Sequence, residues 1–129
     1  MQAPPILTDR SALIRNRQRA SDTFLRDIAR DELQDRLSLV NRVFTKALIV
    51  GPAPAIVPNA LHIEDTDTLA IPANDYDLAL HFMALHWAND PVGQIIQSAR
   101  ALKPDGLFQA VCLGGQTLNE LRACFDWRL

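Results

Sequence analysis

Asp75-Tyr76-Asp77-Leu78-Ala79-Leu80-His81-Phe82-Met83, then Asp90-Pro91-Val92, then Ala101-Leu102-Lys103-Pro104-Asp105-Gly106-Leu107-Phe108 is the stretch on which the fold turns. Leu78 to Met83 is a nearly continuous apolar run, the pattern of a strand covered on both faces. Asp90 is placed to cap a helix whose first position tolerates Pro91. Val92, Ile95, Ile96, Ala99 and Leu102 then recur at helical spacing, and Lys103-Pro104-Asp105-Gly106 reads as the turn that stops the helix. Leu107 to Leu113 is a second strand, broken by Gly114-Gly115, and Thr117 opens a last helix through Phe125. Strand, helix and strand in this order predict parallel pairing with right-handed crossovers.

Working outward, Ala47-Leu48-Ile49-Val50-Gly51 is another short apolar run, ended by glycine. Pro52, Pro54 and Pro58 follow, so no regular helix starts before about Asn59; Ala60 to Ile63 offers a short strand. Upstream, Phe24, Leu25, Ile28, Ala29, Leu33, Leu37, Val40, Val43 and Phe44 make the clearest amphipathic helix in the chain, with Ser21 or Asp22 as its N-cap. Thr8 caps a shorter, arginine-rich helix through about Ala20, after an irregular leader containing Pro4 and Pro5. The expected architecture is an α/β fold: an incomplete doubly wound, Rossmann-like parallel sheet of three to four strands with flanking helices. A basic arm (residues 1–20) precedes a partial α/β domain (21–129).

The 129 residues suffice for one domain and one core. A hydrophobic share of 48% with 22% charged residues excludes a disordered chain. No apolar run has the length of a membrane span, and no signal-peptide pattern opens the chain, so the reading is a cytoplasmic protein with no membrane partner. Cys112 and Cys124 are too few for a disulfide framework and read as reduced thiols. Residues 1–46 hold nine Arg and Lys against six Asp and Glu, whereas residues 47–129 hold four against nine. Arg10, Arg15, Arg17 and Arg19 form a basic arm. No aromatic residue interleaves with them, so complementing the acidic remainder of the molecule is favoured over binding nucleic acid.

Asp75-Tyr76-Asp77-Leu78-Ala79-Leu80, Ala84-Leu85-His86-Trp87-Ala88-Asn89-Asp90-Pro91 and Ala101 to Phe108 resemble the type 11 class I S-adenosylmethionine-dependent methyltransferases. The resemblance covers about residues 21–122. It leans toward proteins like the biotin-synthesis methyltransferase and the methyltransferase-like assembly factors of respiratory complex I. It implies S-adenosylmethionine as cofactor, held by an acid and a D-x-G-x-G-x-G loop after the first strand. Here Ile49 replaces the acid, Gly51 keeps the first glycine, and Ala53 and Ala55 stand in place of the next two. Pro52 and Pro54 each remove an N–H from the cradle. The helix and second strand that carry the family's ribose-binding acid have no room before Asp65.

The resemblance places Asp65 where the family accepts from the adenine amino group, with Leu69 beside it; the plain alternative is a solvated loop acid among Glu64 and Asp67. His86 and Trp87 fall at the mouth of the family's active site. They shape a substrate pocket, or else Trp87 anchors the next helix and His86 bonds a loop. His62, His81, His86 and Cys112 lack ligand spacing, so no metal is expected. Cys112 reads as a small core residue within its strand. Gly114-Gly115-Gln116-Thr117 has the makings of an anion site but reads better as a plain connection. No catalytic residue is singled out. Two functions are expected: a methyltransferase-family protein impaired in binding its cofactor, a pseudoenzyme or a fragment of a longer chain; or a non-catalytic assembly protein on the same scaffold. A sheet ending near Leu107–Leu113 leaves an open edge, from which a homodimer is expected.

Overall fold

A computed structural model describes residues 2–126, so the sequence end with Trp127 and Leu129, expected to add exposed apolar surface, lies outside the described residues. Two helices, α1 (Arg10–Arg19) and α2 (Phe24–Ser38), precede β1 (Ala47–Val50) and β2 (Leu61–Ile63). Then come β3 (Tyr76–Phe82), a 3-10 turn at Leu85–Trp87, α3 (Pro91–Ala101), β4 (Leu102–Val111) and α4 (Asn119–Asp126). The strands form one sheet in the order β2-β1-β3-β4, and every pairing is parallel. This is the expected α/β architecture, except that a second strand does fit between Gly51 and Asp65. β2 lies parallel to β1, with Leu48 opposite Leu61 and Val50 opposite Ile63, and the described residues between the two strands hold no helix.

Strand alternation builds the two halves of the core. Ile49, Leu78, Leu80 and Phe82 face Ala29 and Leu33 of α2. Leu48, Val50 and Ala79 face the other way, toward Leu69 and Ala101 of the α3 layer. Each strand residue therefore loses water on one side or the other, which is why β1 and β3 read as continuous apolar runs. Truncating a fully buried residue such as Leu80 to alanine costs about 2–5 kcal/mol. Asp77 locks the register: its carboxylate accepts from the backbone N–H groups of Thr45 (2.7 Å) and Lys46 (3.0 Å) just before β1. Burial alone would raise this carboxyl, but those N–H donors outweigh it and hold it below its ordinary value.

Several boundaries differ from the sequence reading. The first helix is capped by Asp9, whose side chain accepts from the Ala12 N–H, and not by Thr8. α2 has Thr23 at its N-cap position, while Asp22 accepts from the Phe24 N–H. It stops at Ser38, because the chain must turn to enter β1; Val43, expected on its apolar stripe, is exposed. Lys103 to Gly106 does not separate helix from strand but lies inside β4. Tyr76 pairs with Leu102 and Leu78 with Leu107, so the segment between loops out as a bulge, with Asp105 in the left-handed region at φ 66°. Cys112 lies beyond the end of β4 and is exposed, not a core residue; Cys124 is exposed as well, and both are free thiols. α4 begins at Asn119 instead of Thr117. No described helix is long and apolar enough to cross a membrane.

Candidate functional site

Parallel strands leave a crevice outside their carboxyl ends, where neighbouring loops part. Here that crevice gathers Gly51 after β1, Asp65 after β2 and the Phe82–Trp87 segment after β3. Gly51 has φ 107°, and a Cβ there would stand 2.4 Å from the Phe82 carbonyl oxygen. Only glycine allows β1 and β3 to approach so closely at this point. Pro52 and Pro54 follow it, and neither has an N–H to present to a ligand.

Asp65 is 3% exposed and is the centre of the site. Arg17 grips its carboxylate with two parallel bonds, Nη1 to Oδ1 at 2.8 Å and Nη2 to Oδ2 at 3.0 Å. Arg10 adds bonds of 3.4 and 3.3 Å to the same two oxygens and donates to the Asp65 backbone oxygen at 2.9 Å. Burial pushes the carboxyl up, but the Arg17 and Arg10 hydrogen bonds and charges more than offset this and hold it below its ordinary value. Part of the basic arm thus complements an acid of the same chain, as the charge pattern suggested. The pairing itself was not foreseen, although Arg10 and Arg17 lie seven residues apart and so share one helix face. Asn89 fastens the leader as well: its Oδ1 accepts from the N–H groups of Leu7 (2.7 Å) and Thr8 (3.0 Å).

Behind Asp65 runs a buried polar chain. Gln94 donates through Nε2 to the backbone oxygens of Asp65 (3.2 Å) and Thr66 (3.0 Å). Its Oε1 is therefore the acceptor for His81 Nε2, 2.7 Å away, which fixes the proton on that nitrogen. His81 Nδ1 is buried without a partner. Burial lowers the His81 pKa, opposed in part by the Gln94 bond and the Asp65 charge, so the ring stays neutral.

Leu69 is buried in the α3-side core beside Leu48 and Tyr76, and its backbone N–H is bound by Gln97. His86 and Trp87 reach the rim of a cleft of about 640 Å³, bounded also by Leu13, Phe24, Met83 and Leu113 and sharing Arg17 and Pro52 with the Asp65 side. His86 Nδ1 accepts from the Leu113 N–H at 3.2 Å, and Trp87 stays 46% exposed. A second cleft of about 420 Å³ runs from Arg10 and Arg17 past Gly51 and Pro52 to His62 and Asp65. Among the described residues, no three His, Cys, Asp or Glu side chains converge as a metal set. Thr117 donates through its N–H and its hydroxyl to the Gly114 oxygen, so the turn consumes donors that an anion would need.

A family model described as a methyltransferase domain matches residues 39–110. The chain is 39% identical over 66 residues to the mitochondrial arginine-hydroxylase NDUFAF5 of Danio rerio and 38% identical over 66 residues to that of Homo sapiens. Those matches take in 51% of this chain and 21% and 19% of the relatives. A malonyl-[acyl-carrier protein] O-methyltransferase of Gallionella capsiferriformans is 36% identical over 61 residues, 47% of this chain and 21% of that protein. The chain thus spans about a fifth of the length of the curated relatives it matches. No solved structure matches at a significant level.

Proposed function

The chain belongs to the methyltransferase-domain family, and on that premise we propose that it is a methyltransferase-like protein that binds S-adenosylmethionine weakly or not at all. One observation carries the reading: the carboxylate that the family resemblance assigns to the adenine is buried and already bound by Arg17 and Arg10. An acceptor with both oxygens committed to guanidinium groups has little left for a neutral amino group. Pro52 and Pro54 support the same reading, since they withhold backbone donors where the family's loop supplies them. Methyl transfer consists largely of holding two reactants in line, so a chain without a grip on the donor is a poor catalyst. Calorimetric titration of S-adenosylmethionine and S-adenosylhomocysteine tests this. No saturable heat is expected, and a dissociation constant in the low micromolar range would restore the methyltransferase reading.

A second reading, a non-catalytic interaction protein on this scaffold, is favoured by α2. Phe24, Leu25 and Ile28 of its first turns are exposed, although they continue the stripe that buries Ala29 and Leu33. Apolar surface of this kind suits a partner. The free, exposed thiols suit a reducing compartment such as the cytoplasm, although the relatives named as arginine-hydroxylases are mitochondrial by name.

A further inference from the structure

The cleft bounded by His86 and Trp87 has features that the closed Asp65 side does not explain. Its volume, about 640 Å³, falls in the range of sites that enclose a small organic molecule. Phe24 and Leu25 on one wall are 65% and 56% exposed, and Trp87 on the rim is 46% exposed. Leu13 and Met83 extend this apolar lining. Met83 is held in the left-handed region at φ 47° while its N–H is tied to Val111.

Two donors stand available at this cleft, His86 Nε2 and the Arg26 guanidinium, beside the Asn16 amide, which both donates and accepts. His86 Nδ1 is occupied by the Leu113 N–H, so the ring carries its proton on Nε2. Burial, then the Arg17 charge, lower its pKa, with Asp65 opposing, so the neutral ring keeps that single N–H. Arg26, half-buried in the lining, makes no side-chain hydrogen bond or ion pair among the described residues. The one acid of the lining, Asp22, accepts the Phe24 N–H through Oδ1 and lies exposed, where solvent and salt screen its charge. An apolar slot with aromatic walls, one unpaired guanidinium and one neutral N–H selects a ligand with a flat apolar body and an anionic group. We infer that this cleft binds a small aromatic carboxylate, with Arg26 taking the carboxylate and Phe24 and Trp87 the ring. The inference does not depend on whether the Asp65 side admits S-adenosylmethionine.

The probe is 2-naphthoate, with 2-naphthylmethanol as its neutral counterpart, followed by chemical-shift mapping on the full chain. Naphthoate is expected to saturate and to move the amides of Leu13, Met83, Trp87 and Leu113. The alcohol should bind roughly tenfold more weakly or worse, the loss expected when a charge-assisted bond is removed. Arg26→Gln should erase that preference while leaving the alcohol's affinity unchanged, and Arg26→Lys should keep part of it. Failure of naphthoate to saturate at millimolar concentration overturns the inference. So do shifts confined to other surfaces, or an anion preference that survives Arg26→Gln. Adding S-adenosylmethionine separates the two readings: displacement of naphthoate counts against the closed cofactor side, whereas failure of naphthoate alone leaves that reading standing.

Discussion

Removing Arg17 and Arg10 from Asp65 probes how the N-terminal helix is held. Asp65 is 3% exposed, and the Arg17 and Arg10 side chains are 18% and 33% exposed. Arg17→Ala alone deletes the bidentate pair but leaves Arg10 in place, so about 2 kcal/mol is expected rather than the full cost of a stranded buried charge. Arg10→Ala/Arg17→Ala strands the carboxylate and should cost about 3–5 kcal/mol, more than additivity suggests. Adding Asp65→Ala to the double variant should return part of the loss, because the orphaned charge goes with it. α1 has only ten residues and one buried side chain, Leu13. A helix that short does not persist undocked, so its amides should lose protection in hydrogen exchange while those of β1 and β3 keep theirs. Urea unfolding at neutral pH gives the energies. The acid limb gives the sign: a depressed Asp65 pKa means the contribution is complete above the unfolded value of about 4 and is lost only as pH falls through the lower, folded value. A double variant within about 0.5 kcal/mol of the native chain, with α1 protection intact, would refute the reasoning.

Gly51→Ala should destabilise by more than about 2 kcal/mol, because φ 107° is strained for alanine and its Cβ would meet the Phe82 carbonyl; equilibrium denaturation checks it, and a near-neutral change counts against the close approach of β1 and β3. His81 is neutral when folded and has a depressed pKa, so the unfolded chain takes up more protons below its ordinary value near 6.5. Stability should therefore fall from pH 7 to 5, and His81→Gln should flatten the slope, leaving the contribution of His86, whose pKa is lowered in the same direction. β4 is an edge strand and α4 is exposed from Asn119 to Phe125. We propose that two copies pair through this edge; sedimentation equilibrium at micromolar concentration should show a dimer, and a soluble monomer would refute the pairing.

The strands of the core were legible in the sequence because burial on both faces imposes a continuous apolar run on residues 47–50 and 78–82. The α3 cap was legible for a similarly local reason, since Asp90 and Pro91 act within one helical turn. Gly51 was legible as the end of a strand, but only the pairing of β1 with β3 shows the Phe82 carbonyl that forbids a side chain there. Where α2 would stop and how Lys103–Gly106 would fold were not legible. The apolar period continues past Ser38, and a turn sequence looks the same inside a bulge as between two elements. Asp65 stood out only through family resemblance, beside a neighbouring acid that looked just like it. What distinguishes it is two arginines about fifty residues upstream, brought over the strand ends when α1 docks. Periodicity and caps act through bonds between near neighbours along the chain and are therefore written in it. Ion pairs and clefts depend on which distant segments the sheet brings together, so the partner of Asp65 and the slot beneath Phe24 were decided by the tertiary fold alone.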